Sequence, residues 1–274
     1  MKVVEVGNIK IGGGNPLVLI AGPCVIESEE IAFRTADEVL RIADKLGIPF
    51  IYKSSYKKDN RSSAEAYSGP ELEEGLRILG AIKRKLRIPV LSDVHCKTEV
   101  ERAAEVLDII QIPAYLSQQT GLALKVGETG KPVNVKKGQF TAPQDMTNVV
   151  RKIEHTGNHN ILLTERGSCF GYRELVVDMR SFPIMRSLGY PVVFDVTHTV
   201  RLYGTPSSNP SGGQPQFIPH LARAGVACGC DAIFIETHPN VRDAKCDAAS
   251  MLPLAELPDL LSNLIEIDGL VRKD

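Results

Sequence analysis

Excess charge of either sign is missing from this chain: 32 lysines and arginines stand against 33 aspartates and glutamates, a formal net charge of −1. That balance argues against a nucleic-acid partner held by bulk positive charge, so any basic site has to be local. Long apolar runs are missing too. The longest, residues 17–26, is interrupted by Gly22 and Pro23 and is too short to span a bilayer. The opening Met-Lys-Val-Val-Glu-Val-Gly lacks the apolar core of a signal peptide. The six cysteines (Cys24, Cys96, Cys169, Cys228, Cys230 and Cys246) form no C-x-x-C pair and no disulfide framework, so they read as the reduced thiols of a cytoplasmic protein. G-x-G-x-x-G, G-x-x-x-x-G-K-[ST] and H-E-x-x-H are absent, which argues against the common dinucleotide, nucleotide and metalloprotease sites.

What is present is one theme repeated. Short apolar runs at 17–25, 49–52, 89–94, 109–115, 132–135, 161–164, 191–196 and 232–235 alternate with helical patterns at 31–46, 72–86, 99–107, 122–127, 144–155, 184–188, 216–228 and 254–267. Near-continuous hydrophobicity suits parallel strands covered on both faces. Strict strand–helix alternation over 274 residues, 43% of them hydrophobic, predicts one closed eight-stranded α/β barrel, the (β/α)8 TIM barrel, spanning 1–274. Residues 3–6 and 9–11 flank Gly7-Asn8 and predict a hairpin within 1–15 that closes the barrel's bottom. The polar loop 201–213 follows a strand end bearing a histidine and reads as a lid.

In such a barrel the chemistry lies at the C-terminal strand ends. Those ends bring Cys24, Lys53 with Ser55, Asp93 with His95, Gln111, Asn134 with Lys136, Arg166, His198, and Glu236 with His238. Side-chain alternation sends Lys136 the way of Asn134 and turns Lys137 away. Two groups emerge. Lys53, Lys58, Arg61, Lys136 and Arg166 form an anion-binding set able to hold more than one phosphate or carboxylate. Cys24, His198, Glu236 and Asp247 offer a thiolate, an imidazole and two carboxylates, a donor set suited to a divalent transition metal with an open position. A buried inert thiol at Cys24 and a lysine salt bridge at Glu236 are the alternative readings. His95, His155, His159 and His220 have no comparable support as site residues.

The segments A-G-P-C-V-I-E-S, K-S-S-Y-K-K-D-N-R-S-S (53–63), Q-I-P-A-Y-L, N-V-K-K-G-Q-F, T-E-R-G-S-C-F-G-Y, L-V-V-D-M-R-S, F-D-V-T-H and E-T-H-P together resemble the Kdo-8-phosphate synthases over nearly the whole chain. The related heptulosonate-phosphate (DAHP) synthases, which use erythrose 4-phosphate, share A-G-P-C but carry a K-P-R-T-type segment where this chain has K-S-S. The resemblance implies condensation of phosphoenolpyruvate with D-arabinose 5-phosphate in a homotetramer. It implies that Lys136 and Arg166, with the Ala114 backbone, hold the phosphate of phosphoenolpyruvate, and that Lys53, Ser55, Lys58 and Gln111 hold its carboxylate. Asn60, Arg61 and Ser62 are implied to meet the sugar and its phosphate, with Asp93 on a hydroxyl and Lys58 as proton donor to the aldehyde oxygen. Cys24, where the metal-free branch has asparagine, implies the metal-dependent branch, with manganese, iron, cobalt, cadmium or zinc on Cys24, His198, Glu236 and Asp247. Lys53, Lys58, Asp93 and His198 are the expected catalytic residues.

The chain departs from the family pattern at two places. K-C-D-A-A-S (245–250) shares its Cys-Asp pair with the metal-free branch. Gln118 stands where an arginine usually reaches a neighbouring subunit's sugar phosphate, and Gly121 stands where an aspartate is usual. Arg201 on the loop is a candidate to replace that cation.

Overall fold

A computed structural model describes residues 1–61, 63–169, 174–205 and 209–272. Strands β1 (Val4–Val6) and β2 (Ile9–Ile11) pair antiparallel, Val4 against Ile11 and Val6 against Ile9. There follow β3 (Val18–Gly22), α1 (Glu29–Leu46), β4 (Phe50–Lys53), α2 (Glu71–Leu86), β5 (Val90–Asp93), α3 (Val100–Val106), β6 (Ile109–Ile112) and α4 (Thr120–Gly127). The second half comprises β7 (Val133–Lys136), α5 (Met146–Glu154), β8 (Ile161–Glu165), α6 (Ser181–Arg186), β9 (Val192–Asp195), α7 (Val196–Thr199), α8 (Ile218–Ala227), β10 (Ala232–His238), β11 (Leu252–Pro253) and α9 (Leu257–Val271). Each strand from β3 to β10 pairs parallel with the next, and β10 pairs back onto β3, so the eight close into a barrel. This is the (β/α)8 arrangement foreseen from the alternation.

The two-residue period of each strand explains both its hydrophobicity and the position of the site. In β3, Leu19 and Ala21 face the helices, while Val18 and Ile20 face the barrel interior. The interior positions are apolar at one end of the barrel: Ile51, Leu91, Ile109, Leu162, Val193 and Phe234 pack with Val4, Val6, Ile9 and Ile11 of the hairpin. Burial of each such side chain contributes about 1.5–3 kcal/mol, which fixes the hairpin as the floor of the barrel. Two residues further along the same strands, the interior positions become Lys53, Asp93, Gln111, Thr164, Asp195 and Glu236, all buried. One face of each strand therefore supplies core at the bottom and chemistry at the top.

Helix α1 shows how local sequence sets an element. Ser28 Oγ accepts from the Ile31 amide at 3.2 Å, and Gly47 ends the helix in the left-handed region at φ 68°. Its buried stripe of Ala32, Ala36, Val39 and Ala43 covers the barrel wall. Gly22 at the top of β3 has φ 154°, and a Cβ there would lie 2.1 Å from the Lys53 carbonyl oxygen. That close approach brings Cys24 over the end of β4. Several boundaries differ from the sequence reading, β10 running on to His238 and α6 spanning Ser181–Arg186, and two have a plain physical cause. The sixth strand stops at Ile112 because Pro113 has no amide to donate, and residues Ala114–Leu116 turn into a 3-10 helix. The loop after β9 begins with α7, unforeseen because four residues are too few to show a helical period.

Candidate active site

The strand ends meet in a cavity of about 460 Å³ whose cationic lining consists of Lys58, Arg61, Lys136, Arg166 and Arg201. Four of these belong to the five-cation set read from the sequence. The fifth member, Lys53, lies one layer deeper, and Arg201 from the loop after α7 stands in the cavity instead. Asn60, Asp93, Gln111, Ala114, His198 and Asp247 share the lining. Ser62 falls outside the described residues.

The floor is a buried polar network. Lys53 Nζ donates to the Cys24 carbonyl oxygen at 3.1 Å, to Ser55 Oγ at 3.0 Å and to Glu236 Oε1 at 3.1 Å. Ser55 Oγ donates to Asp93, which His95 Nε2 meets at 3.0 Å on its other oxygen. Lys53 and Ser55, expected to grip a substrate carboxylate, are thus committed to the protein and do not line the cavity. Lys58 does line it. Burial presses its ammonium downward, but the facing Cys24, Asp93 and Glu236 outweigh that and hold it well above the ordinary lysine value. Burial also opposes ionisation of Asp93, yet Lys58 and Lys53 keep its carboxyl well below the usual range.

On one wall, Asp195 organises two other groups. Its Oδ2 accepts from Lys136 Nζ at 2.5 Å and from His198 Nδ1 at 2.8 Å, while Oδ1 caps the His198 amide at 3.0 Å. An imidazole donating from Nδ1 presents the Nε2 lone pair, which lies 3.6 Å from Glu236 Oε1 and 3.5 Å from Asp247 Oδ2. Burial opposes the charge on Asp195, but His198 and Lys136 pull its carboxyl well below the normal range. Burial lowers Lys136 even against Asp195, and its ammonium lies 3.9 Å from the Phe234 ring centroid.

Donor atoms of Cys24, His198, Glu236 and Asp247 all lie within 4.8 Å of one another. The donors suit a divalent cation by two observations. Glu236 Oε2 is buried without a hydrogen-bond partner among the described residues. The Cys24 thiol is pushed well above its ordinary value by burial, by its contact with Cys246 and by Asp247, so a cation bound among these donors would be what favours its thiolate. Asp247 sits in the left-handed region at φ 51°, uncommon for a residue with a side chain and compatible with a position held for its carboxylate.

At the far end, the Arg166 guanidinium lies 5.9 Å from the Tyr203 ring centroid, and Gln139 Nε2 donates to Tyr203 Oη at 2.7 Å. Arg166 Nη1, Arg61 Nε and Arg201 Nε are buried donors with no partner among the described residues, as expected of groups arranged for an anionic ligand. Beneath Arg166, Lys137 turns away from Lys136 as alternation requires and meets Glu165 at 3.4 Å, and Glu165 Oε1 accepts from the Arg166 and Gly167 amides.

Sequence reasoning missed three contributors. His95, set aside with the other histidines, is half-buried and lines the cavity. Asp195 sits inside F-D-V-T-H, where an aspartate three residues before a histidine was the available signal. Cys246 has its Sγ 3.0 Å from Cys24 Sγ and accepts from Arg61 Nη1 at 2.8 Å, contacts that no local motif announces. His238, grouped with Glu236 by alternation, does not reach the cavity: its Nδ1 meets Asn240 and its Nε2 lies 3.7 Å from Glu27. Gln118 is exposed and lies outside the cavity lining.

The profile of the DAHP synthetase I family matches residues 1–273. The chain is 56% identical over 271 residues, 99% of both chains, to the 2-dehydro-3-deoxyphosphooctonate aldolase of Trichlorobacter lovleyi. It is 54% identical over 272 residues to the protein of the same name in Citrifermentans bemidjiense, and 54% identical over 271 residues to that in Geobacter metallireducens, again covering 99% of each chain.

Proposed function

The chain belongs to the DAHP synthetase I family, among its 2-dehydro-3-deoxyphosphooctonate aldolases or Kdo-8-phosphate synthases, and from that membership we propose how its cavity condenses phosphoenolpyruvate, D-arabinose 5-phosphate and water to 3-deoxy-D-manno-octulosonate 8-phosphate and inorganic phosphate. Carbon 3 of the enol forms the new bond to the sugar aldehyde carbon, whose oxygen takes a proton. Water adds at carbon 2, and the tetrahedral intermediate expels phosphate by C–O cleavage. The observation that carries the residue assignment is the convergence of five cations in one cavity whose lining includes His198 and Asp247 of the four-donor cluster.

Lys136 and Arg166 hold the phosphate of phosphoenolpyruvate, with Asp195 aiming Lys136 and the Glu165–Lys137 pair fixing the Arg166 backbone. Lys58 and Gln111 hold its carboxylate, and Lys53 and Ser55 brace that end from beneath. Asn60, Arg61 and Ser62 receive the sugar and its phosphate, while Asp93 accepts a sugar hydroxyl. Lys58, kept cationic among carboxylates, stabilises negative charge developing on the aldehyde oxygen and donates its proton there. Cys24, His198, Glu236 and Asp247 would hold a divalent ion, which would supply Lewis-acid chemistry. Of the loop read as a lid, Arg201, Tyr203, Gly204 and Thr205 line the cavity and shield it from water, while residues 206–208 fall outside the described residues. The reading extends to a cytoplasmic homotetramer, supported by the free cysteines and the family likeness.

The DAHP alternative differs in the sugar, so product length decides between them. Purified protein offered phosphoenolpyruvate with arabinose 5-phosphate or with erythrose 4-phosphate should release phosphate with the first and yield an eight-carbon acid by mass spectrometry. A seven-carbon product at comparable kcat/KM would reverse the assignment.

A further inference from the structure

The reaction gives no work to Cys246, yet this thiol is buried in contact with the ligand set. Its sulfur is 3.0 Å from Cys24 Sγ, and the two residues are 222 positions apart in sequence. Both side chains are buried, and with Val25, Ala244 and Met251 they form a small apolar cluster that holds the loop before Asp247 against the end of β3. On its other side the Cys246 sulfur accepts from Arg61 Nη1 at 2.8 Å, and Arg61 lines the cavity. Arg61 thus links the Cys246 sulfur to the cavity from which a small oxidant would approach. Cys96, the exposed thiol, sits instead beside Thr98.

Resting on the metal reading above, we propose that Cys24 and Cys246 are a covalent modification site: a peroxide joins them in a disulfide, which removes the Cys24 sulfur from the metal-binding quartet. The sulfurs have to close by about 1 Å to reach bonding distance. The Cys246 sulfur attacks one oxygen of hydrogen peroxide, the O–O bond breaks, and the products are a sulfenic acid and water. The Cys24 sulfur then attacks the Cys246 sulfur, displacing hydroxide that leaves as a second water with the thiol's proton. Two thiols are oxidised by two electrons in all, and one peroxide is reduced to two waters. Thiol reductants reverse the step. A metal bound at Cys24 occupies that sulfur and protects the pair, so the modification acts on protein that has lost its ion.

The test compares cobalt-loaded and chelator-stripped full-length protein exposed to hydrogen peroxide, alkylated without reduction and mapped by mass spectrometry. In stripped protein, a Cys24–Cys246 linked peptide should appear, the alkylatable thiols should fall by two, and cobalt binding measured by elemental analysis should be lost and then recovered after dithiothreitol. Loaded protein should form the link about tenfold more slowly. In Cys246→Ser and Cys246→Ala, Cys24 should instead proceed to the sulfinic acid, and reductant should not restore cobalt binding. Alkyl label on both Cys24 and Cys246 after peroxide, or links from either one to Cys96 or Cys169, would overturn the proposal. So would full cobalt binding by protein shown to carry the link. Reduced protein that binds no cobalt would overturn the metal reading instead, leaving the linked peptide to be judged from the map.

Discussion

The Asp195 carboxylate takes the Lys136 ammonium at 2.5 Å, with both groups buried. The same carboxylate orients His198, so one residue links the cavity cation Lys136 to the donor cluster of Cys24, His198, Glu236 and Asp247. Removing one partner from a buried charge pair costs about 3–5 kcal/mol. Asp195→Asn should therefore lower kcat/KM for phosphoenolpyruvate by at least two orders of magnitude and weaken metal binding at the same time. Steady-state kinetics and cobalt titration check this. A loss confined to one of the two measurements would show that Asp195 serves only one side.

Chelation should abolish turnover, and manganese, iron, cobalt or cadmium should restore it. Cys24→Ala should reduce metal content more than it reduces folded yield, read by elemental analysis beside circular dichroism. Full activity in protein shown to be metal-free would place the chain in the metal-free branch despite its cysteine.

The cations should divide by substrate. Arg166→Ala should raise KM for phosphoenolpyruvate far more than for the sugar phosphate, and Arg61→Ala should show the reverse bias. A lost charge-assisted pair in a desolvated site costs about 2–5 kcal/mol, so each defect should be large. Arg201→Ala tests whether the loop arginine compensates for Gln118. A raised KM for arabinose 5-phosphate supports compensation, and Gln118→Arg should then lower it. Silence in both variants means that the distal phosphate uses neither.

His95 makes a pH prediction. Burial disfavours its charge, but the hydrogen bond to Asp93 and the Glu99 carboxylate 3.7 Å from Nδ1 prevail and raise it from 6.5 to about 9. A raised folded value contributes stability that is fully present below the unfolded value near 6.5 and is lost as pH rises through about 9. The shift corresponds to about 3 kcal/mol at most. Thermal melts should find His95→Gln less stable than the parent at pH 6, with the gap closing above pH 9. A gap that stays constant across that range would mean the histidine is neutral in the fold.

The barrel was legible because its evidence is local. Strand–helix alternation and the two-residue period need only neighbours in the chain, and they placed Lys136, Glu236 and Asp93 at interior strand ends before any contact was known. The same period could not say how deep each interior residue lies. Lys53 reads like a cavity cation but is drawn into a buried network by Glu236, 183 positions away. Burial of a charge is decided by its partners, and partners come from other strands. Loops were least legible. Arg201 and Cys246 reach the site from loops held by distant groups, Asp247 and Cys24, and His95 lies just beyond β5, turned back onto Asp93. Residue types at the strand ends announced the class of chemistry. Only closure of the barrel, which sets strands from both halves of the chain side by side, determined which of those residues meet one another and which merely brace them.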